Sequence, residues 1–100
     1  MYVIIRRYRV AEEHQASFLR HYNDDGDWAA LFRRDPAFKG ARLLRDAQGG
    51  GAYLGIEYWE SLTAYERFMR LNAAACAELD ARCEALASER TLLGRYIHPA

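Results

Sequence analysis

Apolar residues recur at every second position in some stretches of this chain and at every third or fourth in others. The switch between the two periods is sharpest from Tyr53 to Phe68. Tyr53, Leu54, Ile56, Tyr58 and Trp59 follow a glycine cluster and are rich in aromatic and β-branched side chains, which predicts a strand. Leu62, Tyr65, Phe68 and Met69 then share one helical face. Ser61 is placed to cap that helix through its hydroxyl, and Thr63 with Glu66 offers a competing capping box.

The same pattern predicts the other elements. Tyr2 to Val10 forms a first strand, and Ala11 to about Asn23 a helix with Ala11, Phe18, Leu19 and Tyr22 on one face. Asp24, Asp25 and Gly26 interrupt it, after which Asp27 can cap a second helical piece carrying Trp28, Leu31 and Phe32. Asp35 and Pro36 stop that piece. Phe38 to Asp46 forms a second strand, and Gln48 with Gly49, Gly50 and Gly51 a loop to the third. Leu71 to Ala87 predicts a helix with an apolar stripe of Leu71, Ala75, Leu79, Cys83 and Leu86. Thr91 to Ile97 closes the chain as a strand, with His98, Pro99 and Ala100 expected to fray.

The order β, α, β, β, α, β over one domain, residues 1–100, specifies an α+β fold. It is a ferredoxin-like four-stranded antiparallel sheet with helices on one face. Both faces of the strands carry large apolar groups. Leu54, Ile56 and Tyr58 oppose Tyr53, Gly55, Glu57 and Trp59, and Val3 and Ile5 oppose Tyr2, Ile4 and Tyr8. Helices cover only one face, so a second copy is expected on the other, giving a homodimer.

Composition narrows the function classes. The chain is 51% hydrophobic, and fourteen basic residues balance fourteen acidic ones, so no net field gathers nucleic acid or a membrane surface. Arg6, Arg7 and Arg9, and Arg33 and Arg34, form local basic clusters. An RNA-recognition domain shares the element order, but the second strand lacks its paired stacking aromatics. With no apolar h-region or membrane-length run, the expected location is cytoplasmic. Cys76 and Cys83 are separated by about two helical turns, roughly 10 Å, beyond disulfide reach. With no histidine near them they offer no metal site.

A tryptophan ending a strand (Trp59), a serine starting a helix (Ser61), and Tyr65 and Phe68 on its first turns resemble the antibiotic biosynthesis monooxygenase (ABM) family. The stretch Leu79 to Leu86, with Glu89, Leu93, Gly94, Arg95 and Tyr96, is similar to its last helix and strand. The resemblance covers nearly the whole chain and implies a dimeric α/β barrel with an internal pocket. Two branches of the family differ in chemistry. The haem-degrading branch has an asparagine on the first strand, a helical tryptophan and a histidine ligand. Here the first strand has no asparagine, Phe68 stands near the tryptophan position and Glu78 near the histidine position, which argues against haem. The quinone-forming branch oxidises phenolic polyketides with dioxygen and no cofactor. Trp59 and Tyr65 match its pocket tryptophan and tyrosine in spacing, while Gly55 replaces its third-strand asparagine.

The resemblance thus implies cofactor-free monooxygenation of a small phenolic or quinol-like aromatic, with dioxygen as co-substrate. Such chemistry needs a base, a donor or cation at the developing oxyanion, and aromatic walls. Candidate catalytic groups are His21 as base, Tyr65 as donor and Arg95 as cation, although Arg95 can instead pair with Glu57 or Glu89. Candidate substrate-binding residues are Trp28, Phe32, Tyr58, Trp59 and Phe68, with Trp28 and Phe32 as a flap jointed at Asp24–Asp27. Trp59 can equally pack the core or the dimer seam, and Tyr65 and Phe68 the core. The rival reading is a ligand-binding or stress-related dimer without turnover.

Overall fold

Antiparallel pairing builds the sheet. In the computed structural model, which describes residues 1–99, β1 (Tyr2–Arg9), β2 (Phe38–Arg45), β3 (Ala52–Trp59) and β4 (Glu89–Ile97) form one four-stranded sheet in the order β2-β3-β1-β4. The expected fraying of Ala100 lies outside the described residues. Four helices accompany the sheet: α1 (Gln15–Tyr22), α2 (Asp27–Phe32), α3 (Leu62–Leu71) and α4 (Ala73–Cys83), with a 3-10 turn at Glu12–His14 ahead of α1. This is the ferredoxin-like α+β arrangement.

Register assigns the two faces. Tyr2 lies opposite Trp59, Ile4 opposite Glu57, Arg6 opposite Gly55 and Tyr8 opposite Tyr53. Directly opposed residues share a face, and this one carries the buried Tyr2, Ile4, Tyr8, Tyr53 and Trp59, so it is the face beneath the helices. Val3, Ile5, Leu54, Ile56 and Tyr58 occupy the other face. A bulge between Ile5 and Arg6 leaves Leu93 without a partner on β1 and keeps Leu92 and Arg90 opposite Arg6 and Tyr8.

Two apolar clusters meet beneath the helices. One gathers Tyr2, Ile4, Phe32, Phe38, Trp59, Tyr65, Phe68, Leu79 and Cys83 among others. The smaller one joins Tyr8, Val10, Phe18 and Tyr53. Cys76 and Cys83 are both free and buried.

Local chemistry explains most boundaries. Ser61 Oγ accepts from Ala64 N at 3.1 Å and starts α3, so Ser61 rather than the Thr63–Glu66 pair provides the cap. The β2–β3 loop uses Gly49, Gly50 and Gly51, all at positive φ.

Three expectations are corrected. The predicted helix from Leu71 to Ala87 is α4 from Ala73 to Cys83 only, and Leu71 ends α3 at 71% exposure instead of joining the buried stripe. Asn72 makes the break: its side-chain amide and its backbone N–H both donate to Phe68 O, at 3.1 and 2.9 Å. Asp27 does not cap α2, because Gly26 holds the cap position and the Asp27 carboxylate turns to His21 instead. The last strand begins at Glu89, two residues before Thr91.

Candidate functional site

Between the sheet and helices α1, α2, α3 and α4 lies a partly open cavity of about 570 Å³. That volume is within the range of roughly 300–1,000 Å³ that accepts small organic ligands. Its floor is the helix-facing side of the sheet, where Arg6, Tyr8, Leu43, Gly55, Glu57 and Leu92 converge from all four strands. Its walls are Tyr22 of α1, Trp28 and Phe32 of α2, Tyr65 and Met69 of α3, and Cys76 and Asp80 of α4.

Charge on the floor is concentrated in one pair. Arg6 Nη1 binds Glu57 Oε2, although the two residues are 51 positions apart in sequence. Trp59 Nε1 donates to the other carboxylate oxygen, Oε1, at 3.1 Å. Burial alone lowers the Arg6 pKa, but the charge of Glu57, with Tyr8 and Tyr65 adding, more than offsets this and leaves it raised. Arg6 is therefore a permanent cation at the base of the cavity.

Two phenols, Tyr8 and Tyr65, stand near that cation, and a third, Tyr22, lies between Tyr8 and Arg90. Burial pushes the Tyr8 and Tyr65 phenols upward, each opposed in part by the Arg6 charge. Burial raises Tyr22 to about 12. All three stay protonated at neutral pH and can donate hydrogen bonds. At the rim, Arg90 Nη1 binds Asp80 Oδ1 at 2.8 Å, and Arg42 Nη1 approaches Asp24 Oδ2 at 3.5 Å. Burial also pushes the Cys76 and Cys83 thiols up, keeping them protonated and poorly nucleophilic.

The residues singled out from sequence divide. Trp28, Phe32 and Tyr65 line the cavity. His21 does not: it is buried against the α1–α2 junction, its Nδ1 2.6 Å from Asp27 Oδ2, where it ties the two helices together. Arg95 is exposed on β4 opposite Ile4 and acts on Tyr65 only as a weak distant charge. Neither of its expected partners is free, since Glu57 holds Arg6 and Glu89 lies 3.8 Å from Arg9. Tyr58 belongs to the outer face, opposite Val3.

Trp59 and Phe68 are fully enclosed. The Trp59 ring packs against Phe32, Phe38, Tyr65 and Phe68 at centroid distances of 5.2 to 5.4 Å, one layer behind the cavity wall. The joint at Asp24–Asp27 is tied to the sheet, because Leu43 N donates to Asp24 Oδ1 at 2.8 Å.

Arg6, Tyr8 and Glu57 are the polar floor residues that local patterning does not single out. The signal available was an unpaired reading: Arg6 and Glu57 are charged residues on apolar strands, each at a position facing the helices.

The comparisons with known proteins fit this arrangement. The sequence pattern of the antibiotic biosynthesis monooxygenase family matches residues 1–78. The chain belongs to that family. No curated protein matches it. Among solved structures, a proposed ABM protein from Deinococcus radiodurans is 16% identical, with a TM-score of 0.80 over 100% of this chain and 94% of that one. SnoaB, a cofactor-independent oxygenase from Streptomyces nogalater, is 23% identical, with a TM-score of 0.70 over 99% of this chain and 93% of its own. PA3566 from Pseudomonas aeruginosa is 20% identical, with a TM-score of 0.71 over 99% and 94%. At these identities the likeness is one of fold. No helix among the described residues of this ABM protein is long and apolar enough to cross a membrane.

Proposed function

We propose that this ABM protein is a cofactor-independent monooxygenase acting on a phenolic or quinol-like aromatic metabolite. The observation that carries this is the Arg6–Glu57 pair beside Tyr65 at the floor of an aromatic-walled cavity. Membership of the ABM family and the SnoaB-like fold support it.

The pair suits the first step. A phenol bound against it passes its proton to Glu57 while the phenolate oxygen takes over the Arg6 guanidinium. The number of charges in the cavity does not change, so the low-dielectric surroundings do not oppose the transfer as they would a lone charge. Tyr65 donates to the same oxygen. The phenolate then gives one electron to dioxygen, the two radicals combine at a ring carbon, and the proton held by Glu57 returns to the peroxide oxygen to form a hydroperoxide. Loss of water leaves a quinone, so one oxygen atom enters the product and the other departs in water. Trp28, Phe32 and Tyr22 hold the flat ring by burial and stacking.

We also propose a homodimer in which a second copy covers the outer sheet face. Tyr96 at 53% and Leu44 at 49% exposure on that face support this.

Dioxygen consumption by metal-free and flavin-free protein with an anthrone or dihydroxynaphthalene tests the reading, with autoxidation subtracted. Saturable uptake that falls in Glu57→Gln and Tyr65→Phe is the expected result. Background uptake across a varied phenolic panel, by folded protein, overturns it. Gly55, where the quinone-forming branch carries an asparagine, favours the second reading, a ligand-binding protein without turnover. That reading predicts saturable binding of the same phenols and no uptake.

A further inference from the structure

We propose that Tyr8 is the ligand-orienting residue of the cavity, its hydroxyl donating a hydrogen bond to an oxygen on a flat, uncharged aromatic ligand, in a space that exists because residue 55 is glycine. The inference rests on the reading of the cavity as an aromatic-ligand site, and it names how the ligand is oriented there.

The geometry begins with residue 55. A Cβ on Gly55 would lie 3.0 Å from Tyr8 Cε2 and 3.8 Å from the Tyr8 hydroxyl. The Tyr8 ring therefore already fills the space that a side chain at 55 would take. It cannot swing aside cheaply, because Phe18 stands edge-on at 5.4 Å and Tyr22 at 4.9 Å. The ring is thus fixed from behind while its edge reaches the cavity floor. Tyr8 and Gly55 both line the cavity, and the Tyr8 hydroxyl lies over Gly55, 3.8 Å from where a Cβ would stand. Burial also keeps the Tyr8 phenol protonated, so it faces the cavity as a donor.

The remaining charges define the ligand class. Arg6 is neutralised by Glu57, Arg90 by Asp80 and Arg42 by Asp24. No lining arginine is left without a carboxylate to receive an anionic ligand. A neutral aromatic ketone or phenol fits these walls, and a carboxylate or phosphate does not.

Fluorenone and fluorene test this, since they share a flat tricyclic skeleton and differ by one carbonyl oxygen. Binding of each to wild type, Tyr8→Phe and Gly55→Ala is measured by quenching of protein fluorescence, with folding checked by near-ultraviolet circular dichroism. Tyr8→Phe is expected to weaken fluorenone by about 3- to 10-fold, the worth of one hydrogen bond, and to leave fluorene unchanged. Gly55→Ala, which must displace the Tyr8 ring, is expected to weaken fluorenone more than fluorene. Equal fluorenone affinity in wild type and folded Tyr8→Phe overturns the inference and leaves the aromatic-site reading standing. Failure of wild type to bind either compound overturns both. Tighter binding of 9-fluorenecarboxylate than of fluorenone overturns the assignment to uncharged ligands. Absence of dioxygen uptake, with the fluorenone pattern intact, removes the oxygenase and keeps Tyr8 as the orienting group.

Discussion

The indole Nε1 of Trp59 donates a 3.1 Å hydrogen bond to Oε1 of Glu57, two residues earlier on the same strand. Residues at i and i+2 share a sheet face. Trp59, although sealed in the core, therefore touches the cavity's chemistry through the carboxylate it holds. A rigid tryptophan fixes one oxygen of Glu57 and Arg6 takes the other, so both bonds that orient the carboxylate come from the sheet.

Trp59→Phe separates that orienting bond from bulk packing. The smaller ring leaves a void among Phe32, Phe38, Tyr65 and Phe68, and a fall in stability of about 1–3 kcal/mol is expected. For a chain of this size that is a drop in Tm of at least several degrees. With the protein still folded at 20 °C, kcat for dioxygen uptake falls at least several-fold while KM for the phenol changes less. An unchanged kcat removes Trp59 from any role beyond the core.

The Arg6–Glu57 pair gives a sharper contrast. The side chains are 29% and 14% exposed, so the pair is largely but not wholly desolvated. Removing one partner strands the other, and Arg6→Met is expected to cost about 2–4 kcal/mol. The double variant Arg6→Met with Glu57→Leu is expected to regain most of that stability, because apolar replacement of a buried pair is close to neutral. Activity is not regained. Chemical denaturation of the four proteins of the cycle, beside their uptake rates, measures both. Full activity in the stable double variant removes the pair from the reaction.

The alkaline limb of stability follows from the tyrosines. Burial raises Tyr22 to about 12, and Tyr8 and Tyr65 are raised in the same direction. In the unfolded chain these phenols ionise near pH 10. Between pH 10 and about 12 the unfolded state has lost protons that the folded state keeps, so stability declines as pH rises through that window. Tyr22 is partly screened by solvent, so its contribution is on the order of 1–2 kcal/mol. The raised Cys76 and Cys83 thiols begin a shallower decline near pH 9, and the tyrosines steepen it above pH 10. Tm measured from pH 8 to 11.5 should show both parts, and Tyr22→Phe should flatten the part above pH 10. A fall above pH 10 that is unchanged in Tyr22→Phe contradicts this assignment.

The two ends of the β2–β3 loop are expected to respond differently to the same substitution. Gly51 has φ +74°, and a Cβ there would collide with the Val10 carbonyl, while Gly49 has φ +81° and open space around it. Gly49→Ala carries backbone strain alone, about 1 kcal/mol. Gly51→Ala carries strain and a backbone collision, and also disturbs the 2.7 Å bond from Val10 N to Gly51 O. A loss of roughly 3 kcal/mol or more is expected for it. Equal Tm values for the two variants contradict the geometry.

What could be read from sequence and what could not divides along contact range. Ser61, Trp28 and Phe32 were readable because a cap and a helical face are decided within one or two turns. The pairing of Arg6 with Glu57 depends on strand register across 51 residues, and no local pattern carries it. Gly55 reads in sequence as an absence, a missing side chain, and only the sheet reveals that Tyr8 of the neighbouring strand occupies the space. His21 misled for a similar reason. A histidine at the edge of a helical face has the right chemistry for a base, but the turn after α1 brings Asp27 onto its ring and turns it into a structural tie. Leu71 fitted the helical stripe until Asn72 ended the helix and left it in solvent.

The outer face of the sheet supplies the last prediction. Leu44 lies opposite Leu54, Ile56 opposite Ile5, and Val3 between Tyr58 and Tyr96, so apolar side chains from all four strands share the side away from the helices, with Arg7 beside Leu54. Leu44 and Tyr96 remain about half exposed on it. Burial of such a face against a second copy removes apolar area at roughly 25 cal/mol per Å², and 800 Å² per partner is a standard stable interface. Leu54→Asp places a charge beside Leu44 on that surface while leaving the cavity on the opposite side untouched. Sedimentation equilibrium is expected to give a dimer for the native chain and a monomer for Leu54→Asp, each with intact far-ultraviolet circular dichroism. A native chain that stays monomeric at 100 µM contradicts the dimer, and the outer face then needs a different partner. A Leu54→Asp dimer would move the interface to the edge strand, where Ile97 is 74% exposed.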